Sequence, residues 1–163
     1  MSERVLAVEA IDAVDVWPLI EELIDDLDRR YAHVWTPDPV LRQEYLDEIP
    51  PAAVVAPVGA FVVARVDGTP VGCGAVRATA EPGLGEVKRM YVRPTAQRRG
   101  HARAILARLE AEAQALGYRR LRLETGVHQP EAIALYESAG WSSIPRYPPW
   151  EDIDLSRCFA KDL

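Results

Sequence analysis

The sequence predicts an α/β domain: a mixed central sheet with flanking helices and one main βαβ crossover, a single unit over residues 1–163. Three observations point there. Strand-like and helical periods alternate in the order β-α-α-β-β-β-α-β-α-β-β. A long amphipathic helix, with its apolar stripe on Ala102, Ile105, Leu106, Leu109, Ala113 and Leu116, separates the strand-like runs Val87–Val92 and Leu121–Thr125. Asp67-Gly68 joins two further runs, Ala60–Val66 and Pro70–Arg77, as a tight hairpin turn suited to positive φ. A single crossover argues against a doubly wound nucleotide-binding fold, which needs several in succession.

The remaining elements follow in chain order. Val5–Val8 reads as a first strand, and Asp12 as the cap of a helix carrying Val14, Trp17, Ile20, Leu23, Ile24, Leu27 and Tyr31. A second helix follows Pro39, with Val40, Leu41, Tyr45, Leu46 and Ile49 near helical spacing, and Pro50-Pro51 stops it. After the break Glu81-Pro-Gly-Leu-Gly85, the strand Glu86–Val92 leads into the long helix, which Gly117 ends. Pro130–Ala139 is a further helix closed by Gly140, and two last strands lie within Ser142–Tyr147 and Leu155–Lys161.

Composition narrows the function classes. The chain of 163 residues, 48% hydrophobic, is long enough to bury a substantial core. Its longest uncharged apolar stretch, Ala52–Ala64, has 13 residues and is broken by Pro57 and Gly59, short of the roughly 20 needed to span a bilayer. The N-terminus lacks the basic start and apolar centre of a signal peptide, so a cytoplasmic protein is expected. Cys73 and Cys158, without metal-ligand or redox spacing, read as buried free thiols, and no metal is expected. A net charge of −6 disfavours nucleic acid as a partner. Residues 1–60 hold 13 acids against four arginines, whereas Lys88, Arg89, Arg93, Arg98, Arg99 and Arg103 form a basic focus suited to a small polyanion.

The most informative segment is Gln97-Arg-Arg-Gly-His-Ala102, set between a strand and the start of the long helix. First-turn N–H groups have no intrahelical partner and the helix dipole is positive there, so a pyrophosphate can collect several hydrogen bonds. Gly100, without a Cβ, admits phosphate oxygens to the backbone. Arg98 and Arg99 add charge of the right sign; an ordinary helix start with two solvated arginines is the competing reading. Gly72-Cys-Gly74 is an isolated GxG inside a strand, and no GxxxxGK[ST], HExxH or GxSxG occurs.

Gln97-x-x-Gly100-x-Ala102, after a strand ending Tyr91-Val92-Arg93-Pro94, resembles the acetyl-CoA signature Q/R-x-x-G-x-G/A of the GNAT superfamily of N-acyltransferases. Ala132-Ile-Ala-Leu-Tyr-Glu-Ser-Ala-Gly-Trp141 resembles that superfamily's later motif, in which a helix carrying Leu-Tyr precedes Gly-Phe or Gly-Trp. The likeness implies the GNAT fold and transfer of an acetyl group from acetyl-CoA to a primary amine by direct attack in a ternary complex. A non-catalytic acyl-CoA-binding module is the alternative. The likeness places acetyl-CoA on the backbone of Met90, Tyr91 and Val92 and on Gln97, Arg98, Arg99, Gly100, His101 and Ala102. It implies Tyr136 as general acid and Glu86 as general base. A core tyrosine is the alternative for Tyr136, and a solvated strand-end carboxylate or one paired with an arginine is the alternative for Glu86. Ala102 stands where glycine is commoner, and Gln129 where many members have asparagine. The first two helices would border the acceptor site, so Asp25, Asp26 and Asp28, near Tyr31, Trp35 and Tyr45, suggest a small, cationic amine. The resemblance also admits a homodimer through the C-terminal strands.

Overall fold

Strict alternation along the second strand divides the core in two. Phe61 and Val63 face one side of the sheet, Val62 and Ala64 the other, and all four are fully buried. The computed structural model describes residues 3–163. Its elements are β1 (Arg4–Val8), α1 (Trp17–Arg30), α2 (Pro39–Asp47), β2 (Ala60–Val66), β3 (Thr69–Ala78), β4 (Leu84–Val92), α3 (His101–Ala115), β5 (Arg120–Gly126), α4 (Pro130–Ser138), β6 (Ser142–Ile144) and β7 (Ser156–Asp162). Short 3-10 turns lie at Pro51–Val54 and Pro94–Ala96. The seven strands form one sheet in the order β1-β2-β3-β4-β5-β7-β6. β4 and β5 pair in parallel and their neighbours pair antiparallel, as the single α3 crossover requires.

On one face α1 packs Leu19, Ile20, Leu23 and Ile24 against Phe61, Val63, Cys73 and Ala75. On the other, α3 packs Ile105, Leu106 and Leu109 against Val62, Val76 and Val87, and α4 adds Tyr136 beside Trp141 and Phe159. The α3 face sits close to the sheet at Gly74, where an added Cβ would lie 2.6 Å from Met90 Sδ, 2.8 Å from Leu109 Cδ1 and 2.9 Å from Ile105 Cγ2. Gly74→Ala is therefore expected to cost about 1–3 kcal/mol through overpacking, measurable as a lower denaturant midpoint with an unchanged slope.

The element order matches the expectation, and the departures have local causes. α1 begins at Trp17, not after Asp12, with Pro18 in its first turn and no side-chain cap. Ala13–Val16 instead form a turn that leaves Val14 almost fully exposed. α2 starts as expected behind Pro39, with the Asp38 carboxylate accepting from Val40 N–H at 2.7 Å. β4 extends back to Leu84 to pair with Arg120. β6 has three residues, because Pro145, Pro148 and Pro149 cannot continue a ladder.

Two features of β4 set up the site. Its pairing with β5 runs only from Leu84 to Glu86, after which the two strands part. Its register against β3 also slips: Tyr91 opposes Cys73, yet Lys88 opposes Ala75, so Arg89 and Met90 together face the single residue Gly74. Arg89 takes φ 59°, and the bulge reverses the side-chain alternation beyond it. Val87 therefore packs under α3, whereas Tyr91, four residues on, packs under α1.

Candidate active site

The loop before α3 has the geometry expected of an anion cradle. Gly100 caps the helix at φ 76°, ψ 12°, a left-handed conformation that costs a residue with a Cβ far more than glycine. Arg98 shares a positive φ of 61°. The Gly100 carbonyl accepts from Ala104 N–H at 3.1 Å, so the amides of His101, Ala102 and Arg103 precede the first helical bond. Arg98, Arg99 and Gly100 are exposed around them. The His101 ring is buried, and burial together with Arg4 and Arg99 lowers its pKa. Gln97 Nε2 donates to Val92 O at 3.0 Å, tying the loop to the end of β4.

Where β4 leaves β5, the backbone of Met90, Tyr91 and Val92 has no strand partner on that side. A cavity of about 420 Å³ runs through the gap. Met90, Gln129 and Tyr136 line it together with Leu27, Tyr31, Trp35 and Tyr45 from α1, α2 and the loop between them, so it communicates across the sheet. Tyr136 is buried among Trp141 and Phe159, and burial, reinforced by Glu124, raises its phenol pKa. Its proton is therefore held firmly at neutral pH. Trp141 N–H donates to Tyr136 O at 3.0 Å and Trp141 Nε1 to Glu110 Oε1 at 2.9 Å, which explains physically why the helix end and the following tryptophan go together.

Glu124 on β5 lines the same cavity and was not singled out in the sequence. Leu121, Leu123 and Thr125 alternate with it into the core, leaving Glu124 at the wall of the gap. It accepts a hydrogen bond from Ser156 Oγ at 2.7 Å. Burial raises its carboxyl pKa above the usual glutamate range, and this outweighs the downward pull of Ser156 and Lys88. A half-buried carboxylate with a raised pKa near a protonated phenol is suited to acid–base work.

Glu86 lies elsewhere. It lines a second cavity with Arg77, Thr79 and Arg122, and its carboxylate, 5% exposed, sits 2.8 Å from Arg77 Nη2 and 3.4 Å from Arg122 Nε. The structure thus does not bring Glu86 and Tyr136 to one cavity. Glu86→Ala would leave two arginines without their shared counter-charge. It is expected to cost about 3 kcal/mol of stability, checked by chemical denaturation, while turnover per folded molecule is largely kept.

The acidic stretch is neutralised from within. Asp25 pairs with Arg42 at 2.8 Å, and Asp26 with Arg29 at 3.1 Å and Arg30 at 2.7 Å. Asp28 accepts from Trp35 Nε1 at 3.3 Å and lies 3.8 Å from Arg42. Arg30 also pairs with Glu131 and donates to His128 O at 3.0 Å, fastening the end of α1 to the start of α4. Cys73 and Cys158 are both buried and unpaired, and burial pushes the Cys73 thiol up to about 12. No helix of the described residues is long and apolar enough to cross a membrane.

β4 and β5 part beside the Gly100-capped start of α3, and the fold is that of the acyl-CoA N-acyltransferases. The chain belongs to the acetyltransferase (GNAT) family, whose model matches residues 20–141, and it is an acetyl-CoA-dependent N-acetyltransferase. It is 40% identical over 144 residues to an IAA acetyltransferase of Azospirillum brasilense, covering 88% of this chain and 90% of that one. Among solved structures it is similar to a candidate acyl-CoA N-acyltransferase from Klebsiella pneumoniae, with TM-score 0.78, 31% identity and coverage of 98% and 97%. The PaiA N-acetyltransferase of Thermoplasma acidophilum, solved in complex with coenzyme A, shares the fold at TM-score 0.72 and 15% identity, with 99% of each chain covered.

Proposed function

We propose that the protein transfers the acetyl group of acetyl-CoA to a primary amine of a small acceptor by direct attack in a ternary complex, with Glu124 as general base and Tyr136 as general acid. One observation carries this reading: both side chains line the cavity that opens where β4 parts from β5. The α3 start fits the pyrophosphate through the amides of His101 and Ala102 and the positive ends of Arg98 and Arg99. The unpaired edge of Met90, Tyr91 and Val92 fits the amide-rich pantetheine arm as an added strand does.

Glu124 takes a proton from the acceptor ammonium, directly or through one water, leaving a neutral nucleophile. The amine nitrogen bonds to the thioester carbonyl carbon. A β4 backbone N–H, that of Val92 by resemblance, stabilises the negative charge developing on oxygen. The carbon–sulfur bond then breaks as Tyr136 donates its proton to the departing thiolate, and the proton shed by the cationic nitrogen of the new amide returns to the Tyr136 phenolate, directly or through water. Glu86 has a different role in this scheme: it holds Arg77 and Arg122 at the base of the splay.

Thermal unfolding with acetyl-CoA and CoA tests the binding half of the proposal. A ligand at 100 times its Kd should stabilise the fold by about 2.7 kcal/mol. The absence of any shift at saturation would remove the phosphate-loop assignment.

A further inference from the structure

The cavity contains a buried cation without enough partners. The Arg89 side chain is 1% exposed and lines the cavity, yet its Nη1 has no hydrogen-bond partner. Its guanidinium lies 3.5 Å over the Tyr45 ring, and Nη2 donates to Tyr45 O. Nη1, itself buried, thus keeps two unpaired donors on a rigidly held group. Leaving such a donor unpaired in a buried site is costly, and in a binding cavity the missing acceptor is the ligand's.

The local charge balance agrees. The bulge turns Lys88 and Arg89 to the same side of the sheet, where both reach Glu48, at 2.9 Å and 3.7 Å. Arg77 shares that carboxylate at 3.0 Å and, with Arg122, also flanks Glu86. Four cations therefore meet three carboxylates around this stretch of β4, Glu48, Glu86 and the Glu124 of the cavity wall, an excess of one positive charge; Lys88 and Arg89 line the acceptor cavity, and Arg77 and Arg122 the second one. The body of the cavity is apolar and aromatic: Tyr31 stacks on Trp35 with ring centroids 4.5 Å apart, and Leu27, Tyr45 and Trp150 continue the wall.

We infer that the acceptor is an aromatic or apolar amine bearing a carboxylate, and that the carboxylate is bound by Arg89 Nη1 within this cation cluster. Arg89 is a specificity residue, with no part in the bond changes. This rests on the acetyl-transfer reading of the same cavity. It replaces a cationic acceptor with a zwitterionic one, since Asp25, Asp26 and Asp28 already have arginine or tryptophan partners.

The test uses matched compounds. With acetyl-CoA saturating, kcat/KM for phenylalanine should exceed that for phenethylamine by about 10- to 100-fold, the range expected of one hydrogen bond to a charged group. Arg89→Met should collapse that ratio while leaving KM for acetyl-CoA unchanged. Calorimetry without acetyl-CoA gives a readout independent of turnover and of the variant's folding: wild-type protein should bind 3-phenylpropanoate more tightly than 3-phenylpropanamide by a similar factor. Equal binding of the two, or binding of neither, overturns the inference, as does equal use of phenethylamine and phenylalanine. If acetyl-CoA itself fails to bind, the transfer reading falls, and the calorimetric comparison still judges the anion site on its own.

Discussion

Glu124→Gln should lower kcat by about 10²–10⁴-fold, the range associated with losing a positioned general base, while the protein becomes more stable at neutral pH. Both effects come from the same burial. Glu124 sits in the cavity wall facing Ser156, Lys88, Glu48 and Glu86, and its pKa is raised. As a base it acts only when deprotonated, so wild-type activity should rise with pH along an acidic limb displaced above the usual glutamate value of about 4.3. The glutamine variant should lack that limb. For stability the sign is opposite. The folded protein holds the Glu124 proton to higher pH than the unfolded chain does, so this group's contribution declines as pH rises from the unfolded pKa through the folded one. Glutamine keeps a hydrogen bond for Ser156 without an ionisable group and escapes the decline. Rate against pH and melting temperature at neutral pH, taken on one preparation, check both effects. Glu86→Gln provides the contrast, because its limb should persist.

Tyr136→Phe should reduce kcat by about 10²-fold, toward the lower end for general acid–base catalysis. A thiol with pKa about 8.5 leaves tolerably without help. The ring packs against Trp141 and Phe159 with centroids 6.0 Å and 6.1 Å away, and phenylalanine preserves those contacts. The melting temperature and KM for acetyl-CoA should therefore change little. A matching loss of acetyl-CoA affinity would instead assign the hydroxyl to cofactor binding.

What the sequence reveals, and what it conceals, follows from how local each feature is. The α3 stripe and the glycine at its start are written within a few consecutive residues, so the crossover and the loop that opens its helix can be read directly. Tyr136 can be reached through its helix and the adjoining Gly140-Trp141. The ion pairs of Asp26 with Arg29 and Arg30 are also legible, at spacings of three and four; acid counts alone hide them. Other features depend on partners far along the chain. Pairing of Asp25 with Arg42 spans 17 residues. The Arg89 bulge exists only against Gly74, and it decides which side of the sheet Tyr91 faces. Glu124 is one carboxylate in a short alternating strand, and only the parting of β4 from β5 places it in a cavity. Glu86 looks free at a strand end until Arg77 and Arg122 fold around it.

The most direct measurement is a single-turnover experiment: enzyme loaded with acetyl-CoA is mixed with primary amines, and free CoA thiol and acetylated product are followed together by mass spectrometry. One CoA should appear for each N-acetylated amine, at a rate that falls in Glu124→Gln and Tyr136→Phe. Tight binding of acetyl-CoA with no CoA release above spontaneous hydrolysis, whatever the amine, would contradict catalysis and leave an acyl-CoA-binding module in its place.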